Sequence, residues 1–428
     1  MEEQEKVLMG QRELKRWHLM KMVEVGKITL REAGEKIGVS YRQAKRIGRA
    51  IRERGIKGLI HGNRGRPSNN RFKEFLREKV LALSKEVYWD FNDTHFTEKL
   101  RECEGIDLNR ETVRKVRREA GMAPKRRRRG PKHRKRRERK AQEGWMVLWD
   151  GSPHPWLGPD HPPCCLMAAI DDATGKLLAA RFFPFEGSSG YLWLLKEMVK
   201  KYGIPMIIYQ DRHGALHRND NHWSLEEQLA GRQEPTQVGL ALEALGVQSI
   251  SALSPQAKGR VEKLFATLQD RLGAELRLKG IVTMEEANRF LQSTFLKAFN
   301  LRFAVRPRES QKAWREVSKN LDLDRIISFR YAAIVGKDNT VRLGGLILDI
   351  PPGPQKKSYA KTKVEARQLL NGSWRIYAKD QLIAKHSPTS LKEPIRALPR
   401  KRNPVKGVQD YTYVYLASAP QREANLSP

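Results

Sequence analysis

The sequence predicts a multidomain chain: an all-α N-terminal region of helix-turn-helix units, an α/β core, and a small C-terminal β-barrel-like domain. Three observations carry this. Helical periodicity with short Gly-containing breaks fills the first third of the chain. From residue 144, short apolar runs ending in acids alternate with helical stretches, and from residue 323 strand runs alternate with turn signals. At 428 residues the chain exceeds one ordinary core, and its 39% hydrophobic content supports packed domains.

The net charge of +33 points to a polyanionic partner. Residues 1–140 hold 41 Lys and Arg against 20 Asp and Glu, so most of the excess lies in the first third. This favours a nucleic-acid-binding N-terminal region; an anionic membrane or a ribosomal setting leaves the Trp-containing middle unexplained. The three cysteines, Cys103, Cys164 and Cys165, form no C-x-x-C and suggest a reducing compartment. No run approaches about 18 apolar residues, and the start lacks an apolar signal core, so a cytoplasmic location is expected.

Residues 1–60 read as a first helix-turn-helix domain. Its apolar positions are Leu30, Ala33, Ile37, Val39, Ala44, Ile47 and Ile51, with a tight turn at Gly38 and Ser40 as the next cap. The second helix then carries Tyr41, Arg42, Gln43, Lys45, Arg46 and Arg49 outward, residue types that reach bases and phosphates in a major groove. Residues 61–70 are a basic Gly/Pro/Asn linker with Arg64 and Arg66. Residues 71–122 repeat the pattern: a break at Glu104-Gly105-Ile106, a cap near Asn109, and a helix exposing Arg110, Arg114, Lys115, Arg117 and Arg118.

A basic linker spans 123–143. Its stretch 125–140 has 12 Lys and Arg in 16 positions, Arg126, Arg127, Arg128 and Arg129 among them. Such a run is expected to be disordered alone and to lie along phosphates.

The core covers 144–282. WMVLWD and PMIIYQD read as buried strands ending in Asp150 and Asp211; LMAAIDD and KLLAARFF pair across Ala173-Thr174-Gly175; helices occupy 188–202 and 236–246, with a strand at 247–253. Ser254-Pro255 opens a long helix bearing Glu262. This is a mixed layer of ribonuclease-H type. A helical connector covers 283–322, a β domain with an Asn371-Gly372 turn 323–390, and a basic tail 391–428.

Carboxylates at strand ends and near a helix start can share one sheet edge, and such hard oxygen donors suit Mg2+ or Mn2+. Two such ions about 3.5–4 Å apart support in-line phosphodiester displacement. WDGSPHPWLG, YQDRHG and SPQAKGRVEKLF, with IDDATG, resemble the signature blocks of DDE transposases with an integrase-like core, nearest the ISNCY-type insertion-sequence group. The resemblance covers nearly the whole chain. It implies that Asp150 bridges two ions per site while Asp211 and Glu262 each hold one. It also implies cleavage at transposon ends, attack of the freed 3′-hydroxyl on target DNA, terminal inverted repeats as the bound DNA, and a homo-oligomer of at least two copies.

The chain departs from the pattern in the long separation of Asp211 from Glu262, which fits a polar, Trp-bearing insertion at 213–234. Asp171 and Asp172 read as hairpin residues, Lys258 and Arg260 as phosphate contacts, and His213 as a loop histidine with proton transfer or DNA binding as its alternative. His154, His161, Cys164 and Cys165 match no standard zinc spacing and read as a Pro-rich loop. Two other functions share parts of this pattern. A non-catalytic domesticated DNA-binding regulator has no chemical use for three acids, and a hybrid-cleaving nuclease has no use for helix-turn-helix units.

Overall fold

The computed structural model describes residues 9–61, 63–64, 73–126, 130, 137–218, 223–252 and 259–389. The chain divides into two compact units, 1–82 and 83–428.

The first unit is built on α1 (Gln11–Glu24), α2 (Leu30–Ile37) and α3 (Tyr41–Arg54). Thr29 and Glu32 form a capping box on α2, and the Ser40 hydroxyl accepts from Gln43 N at the head of α3. Between them Gly38 takes φ +79°, the left-handed conformation that lets α2 stop and α3 start after three intervening residues. Met20, Ala44, Ile47 and Leu59 form the core, with Trp17, Leu30, Ile37, Val39 and Ile51 against it. The apolar spacing was thus a sound guide here.

α4 (Glu74–Glu86) leads into the second unit, followed by α5 (Asp93–Glu102) and α6 (Arg110–Glu119). The Asn109 side chain caps α6 through Thr112 N. One expectation fails on α6. Arg117 is buried, donating to Phe91 O and ion-pairing with Asp93 at 2.8 Å, and Arg118 is half-buried on the same carboxylate at 2.6 Å. Both arginines hold α6 to the start of α5, and only Arg110, Arg114 and Lys115 face outward.

The core sheet joins β1 (Met146–His154), β2 (Cys164–Asp171) and β3 (Leu177–Phe183); then, after α7 (Ser188–Tyr202), β4 (Ile207–Gln210). After α8 (Leu225–Ala230) and α9 (Gln237–Ala244) comes β5 (Gln248–Ser251). The strand order is β3-β2-β1-β4-β5, antiparallel through β1 to β3 and parallel through β1, β4 and β5. This mixed sheet matches the predicted ribonuclease-H-type layer. Alternation splits each strand between two cores. Val147, Trp149 and Ile208 pack against α7 and α9. Met146, Leu148, Ala168 and Phe182 pack on the other face against α10 (Gly259–Leu278), α11 (Met284–Phe290) and α12 (Leu296–Phe303). Ser254 and Pro255, expected to open α10, lie outside the described residues.

β3 is an edge strand, and its outer backbone groups are covered by side chains. Asn300 bonds the N–H and C=O of Leu177 at 2.7 and 2.8 Å, Asn288 does the same for Phe182 at 2.8 and 3.1 Å, and Gln292 donates to Ala180 O.

The connector is helical only to Phe303. Beyond it the chain runs extended, and Arg315 bridges Ile204 through both backbone groups at 2.9 Å. A short α13 (Leu323–Ile326) precedes β6 (Phe329–Ile334), β7 (Thr340–Leu343), β8 (Leu346–Asp349), β9 (Lys363–Gln368), β10 (Trp374–Ala378) and β11 (Gln381–His386). These form an open four-stranded sheet, β11-β10-β9-β6, and a separate β7-β8 ribbon; among the described strands no barrel closes. Two further turns shape this domain. Gly344-Gly345 folds TVRLGGLILDI into the ribbon, and Lys379-Asp380, both at positive φ, separates β10 from β11.

Candidate active site

Asp150 and Asp211 are brought side by side by strand register. β1 and β4 pair in parallel as Met146↔Ile207, Val147↔Ile208 and Leu148↔Tyr209. Continued by one residue, the register sets Trp149 opposite Gln210, and the Trp149 indole donates to Gln210 Oε1 at 3.0 Å. One step further, past the end of β4, the same register sets Asp150 opposite Asp211. Side-chain alternation sends both toward the face where Leu148 and Tyr209 pack, which is the α10 face.

One detail differs from expectation. Asp150 is interior to β1, whose antiparallel pairing with β2 continues to His154↔Cys164. It still reaches an edge, because β4 stops at Gln210 and leaves the second half of β1 without its parallel neighbour.

Backbone amides orient both carboxylates: Gly151 N donates to Asp150 Oδ1 at 3.1 Å and His213 N to Asp211 Oδ1 at 2.9 Å. Glu262 stands exposed in the first turn of α10, beside Val261, which is fully buried on that same face. Among the described residues no three His, Cys, Asp or Glu side chains are gathered closely enough to hold a metal. The two aspartates offer hard oxygen donors, which fits a hard divalent cation.

A fourth acid, which sequence reasoning missed, lies beside them. Glu186 precedes α7 and accepts from Tyr191 OH at 2.5 Å, with His213 Nδ1 at 3.8 Å from the same oxygen. Its carboxylate rests against Gly151 so closely that a Cβ there has no room. The Tyr191 hydroxyl is pushed far above its ordinary ionisation range by burial, then by the negative charge of Glu186, Asp150 and Asp211. Nothing in the local pattern FEGSSG distinguishes Glu186 from a surface acid before a helix. Burial, with Glu186 a smaller contributor, pushes the Cys165 thiol up to about 12, so it is inert as a nucleophile.

Asp171 and Asp172 are hairpin residues, as expected. Asp171 is buried and accepts from Gly144 N at 2.9 Å and from Thr174 N and Oγ1 at 2.8 and 2.7 Å. Asp172 pairs with Arg137 and with Arg260.

The chain is 37% identical over 320 residues to a putative transposase, y4bF, of Sinorhizobium fredii (strain NBRC 101917 / NGR234), covering 75% of this chain and 68% of that protein. This chain belongs to the transposase family. The transposase is also 29% identical over 447 residues to the transposase for insertion sequence IS1202 of Streptococcus pneumoniae, covering 92% and 93% of the two chains. No protein-family model matches it. Two solved structures overlap it loosely, each at 14% identity. A simian T-cell lymphotropic virus intasome in complex with PP2A regulatory subunit B56 gamma gives a TM-score of 0.31 over 72% of this chain and 99% of that one. The HTLV-2 integrase catalytic core domain in complex with magnesium, in its trimeric form, gives 0.25 over 35% and 84%.

The transposase presents its expected DNA-facing residues unevenly. Tyr41, Arg42, Gln43, Lys45, Arg46 and Arg49 are all exposed along α3. Arg64 is exposed but ion-paired with Glu13 at 2.9 Å. Arg110, Arg114, Arg118, Lys125 and Arg126 line an open groove whose other wall includes Thr267 and Asp270 of α10. Arg260 departs from expectation: it is half-buried on Asp172 and donates to Arg137 O, so it ties the basic linker to the core. Lys125 likewise pairs with Asp270 at 3.1 Å, so both described ends of that linker are anchored. Arg66, Arg127, Arg128, Arg129 and Lys258 lie outside the described residues. Within 213–234, the segment expected to be an insertion, lie α8, capped by Ser224, and the exposed Trp223, Leu225 and Leu229. No described helix is long and apolar enough to cross a membrane.

Proposed function

We propose that this transposase cleaves and joins DNA at a site formed by Asp150, Asp211 and Glu262, which hold divalent cations, Mg2+ or Mn2+, two per site. The observation that carries this reading is the β1–β4 register, which with the Trp149–Gln210 hydrogen bond leads into Asp150 and Asp211 at the same level of the sheet. When bound, two such ions activate a nucleophilic oxygen and stabilise the leaving oxygen of an in-line phosphodiester displacement. The protein's part is positional. The Trp149–Gln210 hydrogen bond sets the spacing of the two aspartates, and the amides of Gly151 and His213 aim one oxygen of each. Glu262 completes the donor set from α10 when DNA is seated, since catalytic contacts commonly tighten only in the loaded complex.

The DNA is the element's terminal inverted repeats and then a target duplex. It is bound by α3 in a major groove and by the phosphate-facing arginines of α6 and the basic linker. Bringing two ends together requires at least a dimer. The test is strand transfer by the full chain on end-sequence duplexes with Mg2+ or Mn2+. Asp150→Asn, Asp211→Asn and Glu262→Gln are expected to abolish cleavage and joining with end binding retained. Undiminished cleavage by any one variant removes that residue from the site.

A further inference from the structure

Glu186 has no part in the triad, yet its carboxylate touches three pieces of the site's frame. One oxygen accepts from Tyr191 OH and lies 3.8 Å from His213 Nδ1. The carboxylate also rests on Gly151, the residue after Asp150. His213 in turn gives its backbone N–H to Asp211, and the Tyr191 ring lies 5.3 Å from the Trp149 ring and 6.5 Å from the His213 ring. Glu186 therefore stands where the strand bearing Asp150 meets the turn bearing Asp211.

An acid there is costly without a purpose. Its side chain is 18% exposed, and it shares the surroundings of Tyr191 with Asp150 and Asp211. A neutral side chain could accept the Tyr191 proton equally well. The added charge deepens the local negative potential that draws cations.

We propose that Glu186 is a positioning residue of the catalytic site, fixing Tyr191 and the Gly151 end of the Asp150 strand beside the Asp211 turn so that both aspartates reach the same cations. This rests on the catalytic reading above. Groups that orient metal ligands change metal affinity about 10- to 100-fold when removed, without themselves binding metal.

The experiment is Mn2+ binding to the full chain, followed by the signal of free Mn2+, with thermal melting as the check on folding. Glu186→Ala is expected to weaken Mn2+ binding about tenfold or more. Glu186→Gln, which keeps the Tyr191 bond, and Tyr191→Phe, which removes it, are expected to weaken binding by smaller factors. Parental affinity in Glu186→Ala overturns the proposal. So does Glu186→Gln binding as weakly as a folded Glu186→Ala, because that pattern assigns Glu186 as a direct ligand. If Glu186→Ala does not fold, parental affinity in both remaining variants overturns it. Asp150→Asn in the same titration separates the two claims: parental affinity there removes the catalytic site itself, and the Glu186 role with it.

Discussion

The Trp149 indole N–H meets Gln210 Oε1 at 3.0 Å, joining the residue before Asp150 to the residue before Asp211 across two parallel strands. Both side chains are buried, and Gln210 also donates toward Leu216 O at 3.5 Å. Gln210→Leu leaves the indole N–H unpaired in the core and frees the two strand ends to drift. A stability loss of about 1–3 kcal/mol is expected in chemical denaturation. Strand transfer should fall by more than the folded fraction accounts for, with end binding intact. Parental turnover in a folded Gln210→Leu protein excludes this clamp from the mechanism.

Gly151 has no free space for a side chain. A Cβ there collides with the Glu186 carboxylate, which Tyr191 holds in place. Gly151→Ala is expected to cost about 1–3 kcal/mol through this overpacking, measured as a lowered denaturation midpoint. Combining it with Glu186→Ala should restore much of that loss. Two losses that simply add argue against the contact.

Arg114 and Arg117 lie on one helix and should behave oppositely. Arg117 is buried against Asp93 and Phe91 O, so Arg117→Ala leaves Phe91 O without its donor while Arg118 still pairs with Asp93, and it should destabilise by about 1–3 kcal/mol. Arg114 is exposed beside Glu111 at 2.6 Å, so Arg114→Ala should barely move stability. It should instead reduce the salt dependence of DNA binding by about one phosphate contact. An Arg114 variant with unchanged DNA affinity and salt slope removes α6 from the DNA surface.

This contrast shows where sequence reading reached its limit. Period and caps located α2, α3, α5 and α6 and the core strands, because each depends on neighbours in the chain. The two aspartates were recognisable for the same reason, since each follows an apolar run. Arg117 looked like any helical arginine until Asp93 closed on it. Glu186, Asn288, Asn300 and Arg260 all act on segments remote in sequence, so no local pattern announces them.

His95 predicts a pH response of the fold. It is buried, bonded through Nε2 to Glu275 at 2.8 Å, with Lys99, Arg271 and Glu98 as the other charges around it. Burial lowers its pKa, outweighing the Glu275 bond that acts to raise it. The unfolded chain therefore takes up a proton that the folded chain resists, and stability should decline as pH falls below the ordinary histidine value of about 6.5. Melting from about pH 7.5 to about pH 5.5 should show this decline, flattened in His95→Gln. An equal slope in both proteins places the effect elsewhere.

The central claim is that Asp150, Asp211 and Glu262 converge on shared cations, although Glu262 stands exposed without DNA. Anomalous diffraction from crystals of the transposase bound to its end DNA with Mn2+ measures this directly. The account predicts two peaks about 3.5–4 Å apart, with Asp150 between them, Asp211 on one and Glu262 on the other. Peaks away from Asp150 and Asp211, or a pair that Glu262 does not approach, would contradict it.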